Sequence, residues 1–70
     1  MRVDDLIRAI ERYAARNSVT YRAESGKGSH RKIWLGGCRS VVPIHRGDLP
    51  IGTYKAILRQ LGISESDLKD

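Results

Sequence analysis

The apolar residues of this chain change their spacing twice. Between residues 4 and 16 they recur every three or four positions (Leu6, Ile7, Ile10, Tyr13, Ala14), and between 19 and 45 they alternate (Val19, Tyr21, Ala23, then Ile33, Leu35, then Val42, Ile44). Helical spacing returns between 53 and 61, with Tyr54, Ile57, Leu58 and Leu61. A repeat near 3.6 lines one face of a helix, whereas a repeat of two lines one face of a strand. A chain of 70 residues has room for only a modest core. The segments must therefore share it, and the expected organisation is one α+β domain over 1–70, ordered helix, three antiparallel strands, helix. Both helices cover one face of the three-stranded sheet and the other face stays open.

The punctuation refines this order. Asp4 is placed to cap the first helix, with Asp5 at the positive end of its dipole, and Asn17 and Ser18 end it. Strands are expected over 19–24, 30–35 and 40–45, with turns at 25–29 and at Gly36-Gly37-Cys38-Arg39. Pro43 cannot donate to a ladder, so the third strand should lie at an edge or carry a bulge. Thr53 is placed to cap the second helix, Gly62 to stop it, and Ile63 to pack behind that stop. Ser64-Glu65-Ser66-Asp67 has the form of a capping box opening one further turn. Matching apolar faces pairs Tyr21 with Ile33, Ile33 with Val42 and Leu35 with Ser40. This register sets His30 opposite both Glu24 and His45, on the face away from the helices. The expected core is Leu6, Ile10, Val19, Tyr21, Ile33, Leu35, Val42, Ile44, Ile57, Leu58 and Leu61.

Charge and residue usage narrow the function. Thirteen Lys and Arg against eight Asp and Glu give +5 and a pI near 9.9, a balance that favours a polyanion. A domain this small has little room for an enclosed cavity, so its ligand should lie in a surface groove. The single Cys38 excludes an internal disulfide framework and a multi-cysteine zinc site, and it fits a reducing cytoplasm. No apolar run reaches membrane-spanning length, and the N-terminus carries no signal-peptide core. Two histidines without clustered carboxylates or thiolates make a poor metal site, so neither metal nor cofactor is expected. There is no P-loop and no Ser-His-Asp arrangement.

The chemistry concentrates in Gly26-Lys27-Gly28-Ser29-His30-Arg31-Lys32-Ile33-Trp34. Glycines let a backbone approach a ligand closely, histidine exchanges protons near neutrality, and lysine and arginine meet phosphate. The mixture points to phosphate or nucleic-acid chemistry; a tight basic hairpin with a solvated His30 has the same composition. Arg31 is turned toward the helices by strand alternation. In the expected register His45 is a candidate second proton carrier, and Glu24 a candidate to orient the His30 ring. Trp34, on the open face, either stacks an unpaired base or anchors a partner protein.

The element order resembles the double-stranded-RNA-binding fold. Gly28-Ser29-His30, Pro43-Ile44-His45 and the run from Asp48 through Leu49-Pro50-Ile51-Gly52-Thr53-Tyr54 to Ile63, in that order and at these spacings, resemble the HicA family of small toxins. That resemblance implies an mRNA interferase, an endoribonuclease held in check by a HicB antitoxin, with His30 as the catalytic residue. Around it, Lys27, Gly28, Ser29, Lys32 and Arg22 are the candidate RNA- and phosphate-binding residues, their cations suited to phosphate charge. The linker Glu24-Ser25-Gly26-Lys27 is longer than in many members, so either Lys27 or Arg22 is the counterpart of the family's upstream basic position. The alternative is a double-stranded-RNA-binding module that performs no chemistry. Such modules carry a lysine cluster at the start of the last helix, where this chain has Asp48-Leu49-Pro50-Ile51-Gly52-Thr53 and only Lys55 nearby.

Overall fold

The computed structural model describes residues 1–25, 30–44 and 47–69. Its elements are α1 (Val3–Asn17), β1 (Tyr21–Ser25), β2 (His30–Leu35), β3 (Cys38–Pro43), α2 (Ile51–Leu61) and a closing 3₁₀ helix (Glu65–Leu68). The expected α+β order of a helix, three antiparallel strands and a helix is therefore present.

Helix α1 begins one residue ahead of its expected start. Arg2, in extended conformation, occupies the N-cap without a side-chain hydrogen bond, and Asp4 joins Asp5 in the first turn, where both face the positive end of the dipole. The shift has two causes. Val3 is buried, and the chain ahead of it pairs with the segment leading into α2 through the Arg2–Asp48 bridge and the Leu49 N–H to Met1 O bond of 2.8 Å. The helix ends where Ser18 turns left-handed (φ 54°) and Val19 N–H returns to Ala14 O.

The sheet runs β1-β2-β3, all antiparallel, with β3 and its Pro43 at an edge as the proline requires. Its register differs from the expected one by two residues in each hairpin. Tyr21 lies opposite Leu35, and Ala23 opposite Ile33; Ile33 faces Ser40, and Leu35 faces Cys38. The β2–β3 turn consists of Gly36 and Gly37 alone, Gly36 taking the left-handed φ of 60° that the first central position of a two-residue hairpin turn uses. Cys38 and Arg39, expected in the turn, are the first residues of β3. A shift of two leaves every side chain on its expected face and changes all its neighbours.

Helix α2 starts at Ile51 behind Pro50, whose carbonyl accepts from Tyr54 N–H at 3.0 Å, so Thr53 lies inside the first turn instead of capping it. The C-terminal stop is at Gly62 (φ 74°), with Ile63 N–H bonded to Leu58 O and the Ile63 side chain buried behind it. The capping box at Ser64 and Asp67 forms with an aspartate in place of the usual glutamate. Arg16 Nη2 donates to Asp67 O at 2.9 Å, which ties the 3₁₀ helix to α1, and Leu68 is buried there.

Between sheet and helices, Leu6, Ile10, Ile33, Val42 and Ile57 are almost wholly removed from solvent. All eleven expected core residues belong to this cluster, Val19, Tyr21 and Ile44 as half-buried members at its margin. Val3 and Ala9 join it from α1, Val3 one turn ahead of Leu6 and Ile7, and Leu49 and Leu68 join it from outside any sequence period. Among the described residues one polar side chain shares the interior: Ser40, 2 % exposed, donates through Oγ to Gln60 Oε1 at 2.6 Å.

Candidate nucleic-acid interface

Strand alternation and the register place eight described side chains on the face away from the helices. They form three rows across the sheet: Arg22–Trp34–Arg39, then Glu24–Lys32–Val41, then His30 beside Pro43. Rows on one face are two residues apart, about 7 Å along the strand. Three cations and a histidine share this surface with a single carboxylate, so the described part of it is basic as well as open. Val41 is 43 % exposed and Trp34 half-buried, which gives the charged surface an apolar floor.

The Arg22–Trp34–Arg39 row has a defined internal geometry. The Arg22 guanidinium carbon lies 4.3 Å from the centroid of the Trp34 ring. Its Nη2 also lies 3.5 Å from Glu24 Oε2, with the two side chains 63 % and 58 % exposed. An exposed cation–π contact contributes only about 0.5–1 kcal/mol, and a surface ion pair often less. Their joint effect is positional, because one guanidinium is in contact with both an aromatic ring and a carboxylate. Trp34 thus faces the open side as expected, but an arginine covers it. Arg39 completes the row, a position that the expected turn at 36–39 concealed; the signal for it is the Gly36-Gly37 pair, which suffices for a two-residue hairpin.

His30 opens β2, exposed, with Pro43 as its cross-strand partner on β3. The expected pairings of His30 with His45 and with Glu24 are therefore overturned. Glu24 lies opposite Lys32, one row away, and its carboxylate meets Arg22. Lys27, Gly28, Ser29 and His45 lie outside the described residues. Lys32 is exposed on the open face in the middle row.

Arg31 turns toward the helices as alternation requires. It is half-buried opposite Val42, and its charge acts on the Tyr21 hydroxyl. Burial raises the pKa of Tyr21, Glu11 on α1 raises it further, and Arg31 partly offsets both. Cys38 is half-buried in β3 on the helix side, its Sγ close against Gly62 at the end of α2, and so it belongs to the packing. Among the described residues no three His, Cys, Asp or Glu side chains converge to hold a metal ion, and no helix is long and apolar enough to cross a membrane.

The family model described as the HicA toxin of bacterial toxin–antitoxin systems matches residues 3–63, from the first turn of α1 to the residue behind the α2 stop. The chain belongs to the HicA toxin family. The match contains the whole sheet and both α-helices, hence every strand that positions the open face. Membership makes the protein the toxin of a toxin–antitoxin pair and implies a cognate antitoxin as its partner. No curated protein matches the chain.

Proposed function

We propose that this HicA-family toxin is a metal-independent endoribonuclease that cleaves mRNA in the cytoplasm at His30 and is silenced by a HicB-like antitoxin covering the open face. The observation that carries the reading is the placement of His30, exposed at the start of β2 on a basic sheet face, in a chain whose family is a toxin family.

RNA contains its own nucleophile. The 2′ oxygen attacks the adjacent phosphorus while a base takes its proton, and the P–O5′ bond breaks as an acid returns a proton to the leaving oxygen. The products are a 2′,3′-cyclic phosphate and a free 5′-hydroxyl, with no net gain or loss of protons. His30 supplies the base or the acid, since an imidazole exchanges protons near neutral pH. Lys32, one row away, together with Lys27 and the backbone of Gly28 and Ser29, binds the phosphate and meets the charge that grows on the phosphorane oxygens. His45, the other histidine of the chain, is the candidate for the second proton transfer on chemical grounds.

The test is incubation of purified protein with mRNA in EDTA, wild type beside His30→Ala. Wild type should leave cyclic-phosphate ends, while His30→Ala remains folded, binds its antitoxin and leaves the RNA intact. Full cleavage by a folded His30→Ala protein, or strict dependence on Mg²⁺, would overturn the mechanism. Tight duplex binding with no cleavage by either protein would favour a non-catalytic double-stranded-RNA-binding module.

A further inference from the structure

We infer that the Arg22–Trp34–Arg39 row is a nucleobase subsite for single-stranded RNA, in which an unpaired base lies on the outer face of the Arg22 guanidinium, two rows from His30. The Arg22 guanidinium lies over Trp34 at 4.3 Å and its Nη2 is 3.5 Å from Glu24 Oε2, yet the Arg22 side chain remains 63 % exposed. A planar cation already seated on an aromatic ring offers its free face as a stacking surface, and guanidinium planes stack unpaired bases as aromatic rings do. The ordering of the side chain precedes binding, so less rotamer freedom is lost when a base arrives.

The surroundings fit the same occupant. Arg39 flanks the ring on β3 and Lys32 occupies the row between it and His30, so cations accompany the strand along β2. The rows repeat about every 7 Å, a step comparable to one nucleotide of an extended strand. A base on Arg22 would then lie about two nucleotides from a phosphate at His30. A duplex keeps its bases stacked inside and presents grooves and 2′-hydroxyls, which a flat plane on an open sheet cannot enter. The inference rests on the nuclease reading only for which phosphate the strand presents to His30.

Trp34 is the only tryptophan of the chain, so its emission reports on this row alone. The probe is a short single-stranded 2′-O-methyl oligonucleotide, which lacks the nucleophile and is not cleaved by 2′-oxygen attack. It should quench Trp34 and bind wild type about tenfold more tightly than Arg22→Lys, which keeps the charge and loses the plane. One abasic position should reproduce that loss, and combining it with Arg22→Lys should add nothing further. Equal binding by a folded Arg22→Lys protein, no effect of any abasic position, or tighter binding of the matching duplex would overturn the subsite. Perturbation of Trp34 by the antitoxin but not by the oligonucleotide would assign the row to the protein partner instead. Failure of mRNA cleavage with the quenching and abasic effects intact would remove the nuclease reading and leave the subsite standing. Cleavage with neither effect would do the reverse.

Discussion

Ser40 and Gln60 join the edge strand to the second helix through one hydrogen bond of 2.6 Å, and the two ends of that bond are unequally placed. Ser40 is 2 % exposed on β3, whereas Gln60 is an exposed residue of α2. Losing either partner breaks the same bond, but only the serine hydroxyl is then left in the interior. Ser40→Ala lets Gln60 turn to water and should cost about 1 kcal/mol. Gln60→Ala leaves a buried hydroxyl unsatisfied and should cost more, about 1–3 kcal/mol. Urea denaturation of the two variants is the check, with the exposed residue expected to be the more damaging one to truncate.

The glycine inside α2 and the glycine that stops it should respond in opposite directions to alanine. Gly62 holds the left-handed φ of 74° that ends the helix, and a Cβ there would reach Cys38 Sγ at 3.5 Å, an ordinary contact. The penalty of Gly62→Ala is therefore backbone strain without a clash, about 1 kcal/mol. Gly52 lies in the first turn of α2 with nothing within 4 Å of an added Cβ. Gly52→Ala should raise stability by up to about 1 kcal/mol, since alanine has less backbone freedom to lose on folding. Thermal melts resolve both, because 1 kcal/mol moves the midpoint of a domain this size by about 4–8 °C.

The register shows how far a sequence of this kind can be read. Period-two alternation assigns faces, so Ile33, Leu35 and Val42 could be placed inside and His30, Lys32 and Trp34 outside from the residues alone. Pairing is a separate matter, because it depends on turn length. A four-residue turn at 36–39 and the two-residue turn at Gly36-Gly37 put the same residues on the same faces, but only the second brings Arg39 beside Trp34 and Pro43 beside His30. The contact of Arg22 with Trp34 depends on the β1–β2 register in the same way. Leu49 and Leu68 differ from these: each is a lone apolar residue fixed by a tertiary link, and a lone residue has no period, whereas Val3 extends the α1 stripe one turn ahead of Leu6 and Ile7.

Tyr21 makes the stability sensitive to alkaline pH. Its pKa is raised above 10.0, first by burial and then by Glu11, against the lowering effect of Arg31. A group whose folded pKa is raised stabilises the fold fully below its unfolded pKa, and that contribution disappears as pH climbs through the folded value. Wild type should therefore lose stability above about pH 10, and Tyr21→Phe should lose less of it. The comparison is of urea midpoints for both proteins at pH 8 and near pH 10.5. Tyr54, raised by burial and by Glu65, adds a background common to both.

Glu24 tests the placement of the site directly, because the expected register and the observed one assign it opposite effects. Across from His30 it would orient and charge the imidazole, and Glu24→Gln would slow cleavage. Across from Lys32, and 3.5 Å from Arg22, it is instead the one described carboxylate on a face of cations. Removing its charge there raises the local positive potential, and the amide oxygen can still accept from Arg22. Glu24→Gln should therefore bind single-stranded RNA a few-fold more tightly at low salt. The gain should fade as added salt shortens the Debye length from about 10 Å at 0.1 M toward 3 Å at 1 M, with cleavage retained throughout. A tenfold or greater fall in cleavage at unchanged binding would return Glu24 to the side of His30.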